Sequence, residues 1–239
     1  MRTYRLQVRV IQLSILLTVI VMIVGLFNGW QGKTKAQPVV VNNAGNTDTS
    51  QNSDFVTEGG GNPINTKIVC LGDSFTYGYP GQTKDSWPEV MKGILKIDIV
   101  NAGKVYQNTS DLLERFDQDV VLKKPGRVII FAGVGDALRG KTLEEYQKNI
   151  QKIVEKANSN NIEPILALPI PFPQTAALYD QYRKWEVSYA QEKKITTLDF
   201  RGVLFDANGT ILKKYSGDGR YPNKDGYQAM GEYAAGVLK

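Results

Sequence analysis

From residue 67 onward the sequence alternates between short apolar runs and longer stretches of helical periodicity, and this alternation limits the folds open to it. Five runs read as strands: KIVCL (67–71), IDIVNA (97–102), RVIIFA (127–132), PILALP (164–169) and TTLDF (196–200). Helical patterns lie between them. The clearest is Leu143 to Asn158, where Tyr146, Ile150, Ile153, Val154 and Ala157 form one stripe at spacings of three and four. Further helices are expected near 87–95, 109–116, 175–193 and 224–238. Strand–helix–strand alternation requires crossover connections. It predicts an α/β fold, a three-layer α/β/α sandwich around a five-stranded, mostly parallel sheet. In such folds ligands collect at the carboxyl ends of the strands.

The formal net charge of +5 comes from residues 1–35, where Arg2, Arg5, Arg9, Lys33 and Lys35 stand without an acidic residue. The remaining 24 basic and 24 acidic side chains cancel, so charge gives no support for nucleic acid as a partner of the folded part. Val10 to Phe27 is an apolar run of 18 residues, preceded by three arginines and followed by Trp30. It is long for a signal-peptide core and just long enough to span a bilayer with help from its flanks. The expected organisation is a cytoplasmic N-terminus (1–9), a transmembrane signal anchor (10–30), a flexible linker (31–63) and one domain (64–239). The arginines favour a cytoplasmic N-terminus, which puts the domain outside the cell membrane with the lipid bilayer as a partner. A cleaved signal is the rival, although TKA ending at Ala36 is a poor cleavage site. The linker is rich in Asn, Gly, Thr, Ser and Gln and has no apolar periodicity. Cys70 is the sole cysteine, so no intrachain disulfide can form, and on a buried strand it packs rather than reacts.

GDSFTYG (72–78) directly follows the first strand, which sets Ser74 at a strand-to-loop turn. Alone, Gly-Asp-Ser is a weak signal, because these are ordinary turn residues. Three further stretches accompany it in order: VNAGKVYQNTSDLLERF (100–116), FAGVGDALRG (131–140) and DGRYPNKDGYQAM (218–230). Together the four blocks, spread over residues 64–239, resemble the SGNH hydrolases, also called GDSL esterases and lipases. The resemblance implies a flavodoxin-like three-layer fold, with Ser74 as nucleophile and the backbone N–H groups of Ser74 and Gly103 as oxyanion donors. It implies no cofactor and no metal. The family-level ligands are acylated polysaccharides or lipid esters of the cell envelope.

Two residues of that pattern are missing. Gly135 stands where the third block has its oxyanion-hole asparagine, and Tyr221 stands where the last block has its histidine, while Asp218 keeps its place three residues earlier. The chain contains no histidine at all. Loss of one oxyanion donor typically costs about 10²–10³ in turnover, and loss of the triad histidine costs on the order of 10⁶. Four residues are weighed as substitute bases. Tyr221 is first by position, but with an ordinary pKa near 10 its hydroxyl is a poor acceptor at neutral pH, better suited to filling the vacated space. Asp218 is a weak base for an alcohol, and neither Lys104 nor Lys224 has a spacing that singles it out. Asp136 reads as a turn cap, and PIPFPQ (169–174) as a pocket wall or a rigid turn. A dinucleotide-binding reading of GVGDALRG fails because Leu138 occupies a position that needs glycine. Two functions stay open: a catalytically impaired, membrane-anchored hydrolase-like binding module, and an active esterase, lipase or deacetylase using Ser74, Asp218 and Tyr221.

Overall fold

The computed structural model describes residues 55–56 and 64–239. The anchor expected over 10–30, the residues before it and most of the 31–63 linker lie outside the described residues. Among the described residues no helix is long and apolar enough to cross a membrane. Within the stretch read as linker, β1 (Phe55–Val56) pairs antiparallel with β2 (Ile64–Asn65).

The main sheet holds β3 (Ile68–Gly72), β4 (Ile99–Gly103), β5 (Arg127–Phe131), β6 (Glu163–Ala167) and β7 (Thr196–Leu198). Its order is β4-β3-β5-β6-β7, and every neighbouring pair is parallel. Side chains alternate between faces along a strand, so each strand feeds two cores. Ile68, Cys70, Ile129, Phe131 and Ile165 enter one core, and Val69, Leu71, Val128, Ile130 and Leu166 enter the other. Burial on both faces explains the near-continuous apolar runs. The first core is closed by α2 (Trp87–Leu95) and α9 (Lys224–Leu238) through Trp87, Met91, Met230 and Ala234. The second is closed by α3 (Thr109–Glu114), α6 (Leu143–Ser159) and α7 (Ala176–Lys193) through Leu112, Ile150, Ile153 and Tyr182. The stripe expected on α6 is buried in full, and a reciprocal Thr142–Glu145 capping box starts that helix.

Two elements depart from expectation. The helix expected over 109–116 divides into α3 and α4 (Phe116–Asp119), with Arg115 between them at φ −91°, ψ 4°. The last strand stops at Leu198, and Phe200 caps α8 (Arg201–Leu204). The register aligns Gly72 with both Gly103 and Phe131, and Phe131 with Ala167, so the carboxyl ends of four strands share one edge of the sheet.

Candidate active site

At that edge the chain leaves β3 through Asp73, whose side chain accepts the Phe75 N–H at 2.9 Å and caps the short helix α1 (Ser74–Tyr77). Ser74 is thereby fixed as the first residue after a strand-to-helix turn, only 5% exposed. Its Oγ accepts the backbone N–H of Tyr106 at 3.0 Å. Tyr106 has φ 59°, a left-handed conformation uncommon for a residue with a side chain. Three neighbours hold it there. Arg139 Nη2 donates to the Tyr106 carbonyl at 2.5 Å. Arg115 Nε donates to Gln107 Oε1, and Asn108 caps α3 by accepting the Ser110 and Asp111 N–H groups.

Arg115 is the hub beneath this loop. It is 9% exposed, and its guanidinium donates to the carbonyls of Gly72 at 2.8 Å and Ala102 at 2.7 Å and to Asp119 at 2.7 Å. It therefore joins the ends of β3 and β4 to the helix that follows. Asp136 acts on the same loop from α5 (Val134–Leu138), accepting both the N–H and the hydroxyl of Thr109.

Gly103 lies elsewhere than the resemblance implied. Its N–H donates to Asn101 Oδ1 at 2.8 Å within its own strand, and a Cβ there would stand 2.2 Å from Tyr77 N. Its lack of a side chain lets α1 pack on β4, and the N–H that faces Ser74 belongs to Tyr106. Gly135 is also enclosed, since a Cβ would lie 2.0 Å from the Gln107 carbonyl oxygen. The space an asparagine side chain would need is filled by backbone.

Tyr221 stands over Ser74 inside an aromatic box. Its ring is 5.2 Å from Phe75, 4.7 Å from Tyr79 and 5.3 Å from Phe172, which makes PIPFPQ a wall of this site. Burial, followed by the charges of Asp73, Tyr106 and Tyr79, raises the Tyr221 pKa above 10, and the adjacent Ser74 side chain opposes this only in part. Asp218 is exposed, and its Oδ1 accepts the Arg220 and Tyr221 N–H groups at 2.8 and 2.9 Å and the Ser216 hydroxyl at 3.1 Å. Burial tends to raise its pKa, yet these donors leave it lowered. The carboxylate thus holds the loop in shape through main-chain atoms. The lysines are engaged elsewhere, Lys104 with Asp119 at 2.8 Å and Lys224 with Asp85 at 3.6 Å. Asp73, 3% exposed, has its pKa raised by burial to about 7, with Phe75 N–H opposing and Asp136 adding to the rise.

The geometry is a strand-to-helix serine turn at the carboxyl edge of a parallel sheet, faced by a backbone donor from the neighbouring loop. A family model described as GDSL-like Lipase/Acylhydrolase family matches residues 70–229. The chain belongs to this family. A solved structure of a G-D-S-L family protein from Desulfitobacterium hafniense DCB-2 is 50% identical, with a TM-score of 0.71 over 72% of this chain and 99% of that one. The lipoprotein YqeF of Bacillus subtilis strain 168 is 32% identical over 130 residues, 49% of this chain. That match spans about half, 54%, of the relative's own length. Thioesterase 1/protease 1/lysophospholipase L1 of Escherichia coli K12 is 25% identical over 72% of this chain and 83% of that protein.

Two residues of this GDSL-like site escape a reading of the sequence alone. Tyr106 carries no cue, because a tyrosine is not the residue chosen for a left-handed turn. Arg115 sits inside a helical pattern, and only its burial against two strand-end carbonyls and the Gln107 and Asp119 side chains reveals its role.

Proposed function

We propose that this GDSL-like protein is an envelope protein, tethered by residues 10–30, that binds an ester-type ligand over Ser74 and turns it over poorly or not at all. One observation carries the proposal: the group standing over Ser74 is a phenol whose pKa is pushed up from 10. At neutral pH it keeps its proton and cannot take that of the serine. Asp218 engaged with its own loop and the enclosed Gly135 support the same view. The apolar run Val10–Phe27 and a relative named as a lipoprotein support an envelope location. A relative named as a lysophospholipase and thioesterase supports an acyl ester, carried on a lipid or a polysaccharide, as the ligand class.

A second reading, slow hydrolysis at Ser74 through Tyr221 with a carboxylate behind it, is favoured by one feature. Asp73 is a buried acid next to Ser74 that titrates at about 7 and acts on Tyr221. The deciding experiment is hydrolysis of a short-chain aryl acetate by the full chain in detergent micelles, with Ser74→Ala as blank. A wild-type rate equal to the blank is expected. A rate well above it sinks the binding-module proposal, and a rise of that rate through neutral pH that disappears in Asp73→Asn points to the second reading.

A further inference from the structure

Beside the Ser74 site lies a hollow of about 390 Å³, within the size range of small-molecule sites. Phe172 and Gly219 contribute to its wall. Phe172 also packs on Tyr221, and Gly219 belongs to the loop that carries Tyr221, so the hollow adjoins the residues that cover Ser74. The rest of the wall mixes apolar surface, Pro171 and Ile211, with a small set of polar groups.

Three independent features of that set favour an anion. First, α7 begins on the hollow, with Gln174 and Ala176 in the wall. This helix is 18 residues long, has no acidic residue in its first turn and receives no side-chain cap from Thr175. The Thr175 hydroxyl instead donates to the Phe172 carbonyl at 2.8 Å. The first-turn N–H groups of a long helix and its positive dipole end are therefore left without a local anion. Second, Arg201 lines the hollow half-buried and forms no ion pair or side-chain hydrogen bond among the described residues. Asp199, whose carboxylate accepts the Arg201 backbone N–H, is already paired with Arg183 at 2.5 Å. Third, the Tyr179 hydroxyl has no hydrogen-bond partner although the residue is only 6% exposed. Arg183, Arg201, Asp180 and Asp199 all act electrostatically on it. Asp180 also lines the hollow as an exposed carboxylate, so the wall itself carries one cation, Arg201, and one acid, while Arg183 and Lys184 line a neighbouring groove that shares Asp180 and Arg201 with it.

We propose that this hollow is a binding site for the carboxylate-bearing end of a partly apolar organic anion. A carboxylate fits because the planar Arg201 guanidinium presents paired donors, with the helix N-terminus and a tyrosyl hydroxyl as further donors and proline, phenylalanine and isoleucine around the apolar remainder. The anion site stands on its own. Only the further step, that the bound molecule continues past Phe172 toward Ser74, rests on the function proposed above.

The test is calorimetric titration of the full chain in micelles with phenylacetate, against its neutral isostere phenylacetamide. The acid should bind at least about tenfold more tightly than the amide, the ratio expected of a charge-assisted hydrogen bond. Arg201→Gln should bring the acid down to the amide's affinity, Arg201→Lys should recover part of the loss, and Tyr179→Phe should weaken the acid alone. Equal affinity for acid and amide, indifference to Arg201→Gln, or no saturable uptake of the acid overturns the site. Ser74→Ala should bind phenylacetate as the wild type does. Rapid aryl acetate hydrolysis alongside Arg201-dependent binding would reject the proposed function and leave the anion site standing.

Discussion

The two loops that flank Ser74 are held in opposite ways. Residues 104–108 are fastened from below by buried charge: Arg115 to two strand-end carbonyls and Gln107, and Asp136 to Thr109. Residues 216–221 are fastened mainly to themselves, through Asp218, Ser216 and the Tyr221 carbonyl. The first loop shares its supports with the sheet and cannot change without disturbing it. The second delivers one side chain, and its shape survives with tyrosine at the tip. Tyr221 therefore stands on the less tied of the two loops.

Breaking the comparison calls first for Arg115→Met. It should cost about 3–5 kcal/mol in urea unfolding, because two buried carbonyls lose their partner and Asp119 keeps only Lys104. Asp218→Asn should cost a small fraction of that, since its carboxylate is exposed and serves only its own loop. Equal losses from the two variants would show that the loops are anchored alike.

Gly135→Asn comes next. The new Cβ would approach the Gln107 carbonyl at 2.0 Å, so the loop must shift, at about 1–3 kcal/mol. Tyr221→His combined with Gly135→Asn should then gain no more aryl acetate hydrolysis than Tyr221→His alone. A large extra gain in the double variant would mean that the loop yields easily.

Buried acids of the fold and the exposed Asp218 should also respond to pH with opposite signs. Asp73, raised by burial from 3.8 to about 7, contributes stability that is complete below pH 3.8 and is lost as pH rises through about 7. Glu186, raised by burial to about 8 beneath Tyr146, acts in the same direction. Asp218, held below 3.8 by its donors, contributes stability that is lost only as pH falls through its lowered value. Thermal melts from pH 4 to 8 should therefore fall with rising pH, and Asp73→Asn and Glu186→Gln should each flatten the fall. An unchanged slope in both variants would contradict this.

The smallest effect is expected of Tyr221→Phe. The aromatic box keeps its ring, so unfolding should move by less than about 0.5 kcal/mol, and the Ser74→Ala-corrected rate should stay at zero.

The sheet was legible in the sequence because strands buried on both faces must be apolar at nearly every position, as Val69, Cys70 and Leu71 show. Helix α6 was legible because one stripe of five residues faces one core. The division between α3 and α4 was not, since it depends on Arg115 turning inward to reach carbonyls of β3 and β4 that no local pattern announces. Within the site, the place of Ser74 at a strand-to-loop turn follows from chain order, whereas the buried acid Asp73 beside it has no cue of its own. The donor facing Ser74 does not. Sequence favours the nearest glycine, Gly103, but that glycine serves the close approach of α1 to β4, and the left-handed residue is a tyrosine held by long-range bonds from Arg139. The glycine at 135 and the tyrosine at 221 could be read directly; the backbone filling the space beside Gly135 could not.

That filled space sets an order in which the site could change. While the Gln107 carbonyl occupies it, a single codon change at position 135 is harmful before it can be useful, because the side chain arrives where there is no room. An asparagine at position 135 would find a place only after the 104–108 loop had been reshaped. Installing one thus needs a sequence of steps whose first brings no catalytic benefit. By the same logic, a histidine at position 221, on a loop fastened mainly to itself, would be the easier of the two to install.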